Sequence, residues 1–140
     1  MIRRCRRMME NLRLQEMIMK IHSSLVIPGN TPSKKSSQVM IPKLRLLLPS
    51  ERYRKWEKSC LDWFKQVGVE KITEPVRCHF YFYRESRRKF DYVNLIQSVQ
   101  DLLVKAGIIE DDNADLFIPV VDGYKHDKEH PRCELEFFND

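Results

Sequence analysis

The sequence predicts an α+β domain, a small mixed β-sheet with two main helices, preceded by a basic N-terminal helical extension. Three observations carry this. Residues 76–83 alternate between apolar and polar side chains, as a half-buried strand does. Two longer stretches, after Ser50 and after Asp91, repeat apolar residues at helical spacing. Strand-like and helix-like segments are mixed along the chain, an order in which helices come to lie on a sheet.

Residues 1–20 form the extension and residues 21–140 the single domain expected of a 140-residue chain. Five arginines fall within Met1–Arg13, and Met8, Met9, Leu12 and Met19 make only a loose apolar stripe. Such a segment suits a DNA-contacting arm. It equally suits a helix packed on the body or a partner subunit, or an extension upstream of a start at Met17 or Met19.

His22–Ile27 reads as the first strand. Pro28-Gly29-Asn30-Thr31-Pro32-Ser33 then forces a turn, because the prolines fix φ while Gly and Asn tolerate positive φ. Lys34–Met40 is polar, Pro42 breaks the chain, and Leu44–Leu48 reads as a second strand. Ser50 is the natural N-cap of the first helix. Tyr53, Trp56, Cys60, Trp63, Phe64 and Val67 form its core stripe, and Gly68 ends it.

In Val76–Tyr83, Val76, Cys78, Phe80 and Phe82 share one face and Arg77, His79, Tyr81 and Tyr83 the other. The second helix spans Tyr92–Ala106. Leu95, Ile96, Val99, Leu102, Leu103 and Ala106 make its apolar face, with Asn94, Ser98 and Asp101 opposite. Leu116–Val121 is a strand that Pro119 confines to an edge or a bulge. Asp122–Pro131 reads as a polar loop and Arg132–Phe138 as the last strand.

Net charge is +5 and the isoelectric point about 9.1, a lean toward a polyanionic partner. The four cysteines show no C-x-x-C spacing, which implies free thiols in a reducing cytoplasm. No run approaches the ~18 apolar residues of a membrane span, and the N-terminus lacks a secretory pattern. There is no glycine-rich phosphate loop or small-molecule cofactor fingerprint. His126, His130 and Cys133 are one ligand short of a structural zinc site.

The chemistry concentrates between Arg84 and Asp115. Four of the six residues Arg84–Lys89 are basic: Arg84, Arg87, Arg88 and Lys89. Asp91 and Asn94 follow at the start of the second helix, and Asp111-Asp112-Asn113 comes after its end. Cations that hold phosphate, next to carboxylates that hold a divalent ion, are what a metal-dependent nuclease needs. Asp91 and Asp112 are the candidate catalytic ligands, with Asp111 and Asn94 completing a Mg²⁺ or Mn²⁺ shell. Lys34 and Lys35 add a second basic point. Plainer roles stand beside these: Asp91 as an N-cap, Asp111–Asn113 as a solvated turn, the cations as solvated surface.

These residues resemble the RusA-type Holliday-junction resolvases over roughly His22 to Phe138. In that family a basic run leads into D-x-D-N-L, then a helix, then K-A-G, then an Asp-Asp pair. Here the same order reads Arg87-Arg88-Lys89-Phe90, Asp91-Tyr92-Val93-Asn94-Leu95, Lys105-Ala106-Gly107 and Asp111-Asp112. Ile27–Ser33 resembles the family's proline-rich turn, and Ser50–Arg54 the start of its first helix. Two positions depart: Val93 stands where the family has its second Asp, and Gln97 where it has a Lys. The resemblance implies a homodimeric, metal-dependent endonuclease of four-way DNA junctions, of a kind common in bacterial prophages. The departures keep a second reading open, a protein of the same fold that binds branched DNA without cutting it. A small interaction module with incidental basic charge is the third.

Overall fold

The computed structural model describes residues 21–33, 38–41 and 46–139. The expected basic extension and its Cys5, and also Lys34 and Lys35, lie outside them. The elements run β1 (Ile21–Pro28), β2 (Gln38–Ile41), β3 (Leu46–Pro49), α1 (Glu51–Val67), β4 (Val76–Arg84), α2 (Tyr92–Lys105), β5 (Phe117–His126) and β6 (Arg132–Asn139). Four strands form one mixed sheet in the order β1-β6-β4-β5, and β2 pairs with β3 in a separate ribbon. The expected α+β class, a mixed sheet with two helices, is what the chain adopts.

Strand β6 is antiparallel to both β1 and β4. Strands β4 and β5 are parallel, so the chain between them must cross over, and α2 is that crossover. Ser50 caps α1 by accepting the Tyr53 N–H at 3.2 Å. Gly68 closes it at φ +69°, a left-handed conformation that costs glycine little, with its N–H on the Phe64 carbonyl oxygen at 3.0 Å.

The core is one cluster. Val76, Cys78, Phe80 and Phe82 of β4 and Cys133, Leu135 and Phe137 of β6 bury their side chains with Tyr53, Trp56, Cys60 and Phe64 of α1 and Leu95, Val99, Leu102 and Leu103 of α2. Burying each large side chain contributes about 1.5–3 kcal/mol. Both helices therefore share a core with the same face of β4. On its other face Tyr81 packs against Tyr83 at 5.1 Å, His79 edges Phe138 at 4.9 Å, and Arg132 lies 3.6 Å over Tyr83. Among the described residues, no helix is long and apolar enough to cross a membrane.

Several expectations are corrected. Gln38–Met40, read as part of a polar segment, belongs to a strand, Gln38–Ile41, paired with Leu46–Pro49; Leu44 and Arg45 of the expected second strand lie outside the described residues. Trp63 and Val67 are 38% and 48% exposed, so the buried stripe of α1 is Tyr53, Trp56, Cys60 and Phe64. Ser98, placed on the solvent side of α2, is wholly buried. The edge position expected from Pro119 is observed, since β5 is the last strand of the sheet and a proline there removes no interior hydrogen bond. It continues past Val121 to His126 because a register shift between Phe80 and Tyr81 lets the ladder resume at Gly123.

Candidate nucleic-acid cleft

The segment joining β4 to α2 and the turn after β1 face each other across a cleft of about 480 Å³. One wall is Asn30, Thr31, Pro32 and Ser33. The other runs from Arg84 to Asp91, with Arg52 of α1 beside it and Asn94 and Leu95 at the start of α2 closing the end.

The Gly29–Ser33 wall is tied residue by residue. Gly29, at φ +90°, donates its N–H to the Pro131 carbonyl oxygen at 3.0 Å. The Asn30 side-chain oxygen accepts the Glu85 N–H at 3.1 Å. The Thr31 carbonyl oxygen accepts from Arg84 Nη1 at 2.6 Å. The Pro32 carbonyl oxygen accepts the Ser98 hydroxyl at 2.7 Å. Backbone groups in a turn lack ladder partners, and these bonds supply them. The Thr31 hydroxyl is buried and has no hydrogen-bond partner among the described residues.

The opposite wall is cationic. Arg88 and Lys89 are exposed and line the cleft, while Arg87 is exposed but does not line it. Arg84 is different. It is half-buried, points at Thr31, and its guanidinium lies 4.8 Å from the Phe90 ring centroid. Burial, with neighbouring Arg52, lowers its pKa. Arg52 pairs with Glu85 at 2.8 Å, an exposed bridge worth at most about 1 kcal/mol.

Asp91 occupies the N-cap position of α2 but makes no side-chain cap hydrogen bond, and no acidic residue follows in the first turn. Its exposed carboxylate and Asn94, three residues on, line the same cleft. The helix N-terminus adds unsatisfied N–H groups and a positive dipole end, both attractive to phosphate. Val93, between Asp91 and Asn94, is 74% exposed, and Gln97 is exposed as well.

Asp111 and Asp112 lie elsewhere. They follow the C-terminal end of α2, whose 14 residues span roughly 21 Å. The Asp111 carboxylate accepts the Asn113 side-chain amide and the Asp112 N–H, each at 2.9 Å, and these bonds hold its pKa below the ordinary value. Burial pushes the Asp112 carboxyl up, and the charges of Asp111 and Asp101 add to this. Within one chain the fold brings Asp91 and Asn94 together and leaves Asp111 and Asp112 at the far end of the helix. Among the described residues, no three His, Cys, Asp or Glu side chains cluster as a metal site.

Asn30, Thr31 and Ser98 are cleft-building residues that sequence reasoning missed. The turn containing the first two is visible as a Pro/Gly/Asn run; nothing in the sequence marks Ser98. No protein-family model matches the chain, and no curated protein matches it.

Proposed function

We propose that this protein is a metal-dependent, structure-specific endonuclease that acts on branched DNA such as the four-way Holliday junction, as a homodimer with Mg²⁺ or Mn²⁺. One observation carries the reading: Arg88, Lys89 and Arg52 gather with Asp91 and Asn94 in one cleft at the open N-terminus of α2. The resemblance of Arg87–Asp112 to the RusA-type resolvases supports the same substrate.

In this reading Arg88 and Lys89 hold backbone phosphate and the α2 N-terminus adds N–H donors. The Asp91 carboxylate, free of a capping bond, and the Asn94 amide oxygen suit a hard cation, which needs few protein oxygens when phosphate completes its shell. Such an ion supplies an activated water and stabilises charge on the phosphate. Asp111 and Asp112 would reach it only from the second chain of the dimer. A four-way junction needs two symmetric incisions, which a twofold dimer provides with one cleft per chain.

A second reading, binding without cutting, is favoured by Val93 and Gln97, which put no carboxylate and no cation on the exposed first turns of α2. Incubating the protein with labelled four-way junction and with linear duplex, with and without Mg²⁺, separates the two. Mg²⁺-dependent junction cleavage that Asp91→Asn abolishes is the expected result. Tight junction binding without cleavage leaves the second reading. Equal weak binding to junction and duplex refutes both.

A further inference from the structure

We propose that Ser98 is a positioning residue for the cleft: its hydroxyl fixes the Gly29–Ser33 wall to α2 and so sets the width of the space into which DNA phosphate enters. The functional half of this proposal rests on the DNA reading above. The structural half does not.

Serine is a poorer helix former than alanine, so a serine wholly buried inside α2 calls for a reason. The hydroxyl donates to the Pro32 carbonyl oxygen at 2.7 Å, with the Asn94 carbonyl oxygen 3.2 Å away as a second acceptor. Three further ties on this wall come from residues at or beside the ends of β4 and β6: Arg84, Glu85 and Pro131. Ser98 supplies a tie from α2. That distinction matters because α2 carries Asp91 and Asn94 on the facing side of the cleft. Ser98 stands one helical turn beyond Asn94, so its bond measures the wall directly against those two groups.

The test compares wild type, Ser98→Ala and Ser98→Thr at a temperature where circular dichroism shows all three folded. Threonine keeps the single O–H donor that the Pro32 carbonyl oxygen accepts. Two quantities are read: hydrogen exchange of the Thr31 and Ser33 amides, and affinity for a synthetic four-way junction over a salt series. Ser98→Ala should exchange at least about tenfold faster at both amides and bind the junction roughly tenfold more weakly, a loss of about 1.4 kcal/mol. Its salt dependence should be shallower, and Ser98→Thr should restore both quantities. Unchanged exchange overturns the proposal. So does faster exchange with unchanged affinity, which makes Ser98 a packing residue only. A wild type that binds no junction, combined with faster exchange in Ser98→Ala, refutes the DNA reading while leaving Ser98 as the tie on the wall. Should Ser98→Ala not fold, Ser98→Cys, of similar shape and weaker donor strength, takes its place with the same direction of change.

Discussion

Arg84 donates to the Thr31 carbonyl oxygen at 2.6 Å, across 53 residues of sequence. A cation that sequence alone assigns to phosphate thus also serves as a strut between the end of β4 and the turn after β1. Hydrogen bonds from charged groups contribute about 1.5–3 kcal/mol. Arg84→Ala should therefore lower the unfolding free energy by about that amount in a urea titration. A loss under ~0.5 kcal/mol would return Arg84 to the role of a simple phosphate contact.

Arg88 and Lys89 line the cleft and Arg87 does not. Replacing Arg88 or Lys89 by Ala should weaken junction binding. Each should also flatten the plot of log affinity against log salt by roughly 0.9 per lost phosphate contact, through reduced counterion release. Arg87→Ala should do less on both counts. If Arg87→Ala proves the most damaging of the three, DNA runs outside this cleft.

The parts of this fold that were legible in the sequence are those whose partners impose a regular period. Strand β4 alternates because one face meets two helices, and that alternation survives as Val76, Cys78, Phe80 and Phe82. Strand β5 was readable only to Val121. Beyond it, Asp122, Lys125 and His126 belong to an edge strand past an irregularity, where half the neighbours are solvent. Gln38–Ile41 carries three apolar residues, Val39, Met40 and Ile41, but four residues between Ser36-Ser37 and Pro42 are too few to display an alternating period. The cation-to-Asp91 side of the cleft is contiguous in sequence and was visible there. Its other wall depends on Ser98 meeting Pro32, 66 residues away, and periodicity sends a lone polar helix residue to solvent. The separation of Asp91 from Asp112 was legible too: a helix of 14 residues between them, at about 1.5 Å per residue, puts them at opposite ends.

Asp112 has its carboxyl pKa raised, first by burial and then by the charges of Asp111 and Asp101. A raised folded-state pKa means the native state binds its proton more tightly than the unfolded chain does. Stability therefore falls as pH rises from the unfolded value through the folded one. Asp112→Asn removes that cost. It should raise the melting temperature at pH 7, and the gain should vanish at acid pH, where wild-type Asp112 is already protonated. A gain independent of pH would mean that ionisation of Asp112 is not its source.

Val93→Asp tests whether the first turn of α2 lacks a ligand. Val93 is 74% exposed and lies between Asp91 and Asn94, so a carboxylate there stays in water and escapes a burial penalty. The turn holds no acidic residue, and a negative charge near a helix N-terminus is worth about 0.3–1 kcal/mol. The variant should therefore be slightly more stable than wild type, an internal control that it folds. If the exposed valine limits ion binding, Val93→Asp should raise junction cleavage and lower the Mg²⁺ concentration needed for half-maximal rate, since a second carboxylate strengthens a hard-cation site. If Asn94, with carboxylates from a second chain, already completes the shell, added charge will crowd the ion and repel phosphate, and cleavage will stay level or fall. A Mg²⁺ titration of both proteins on the same junction decides between them. Strong wild-type cleavage at low Mg²⁺, unimproved by the substitution, would end the idea of a weakened site.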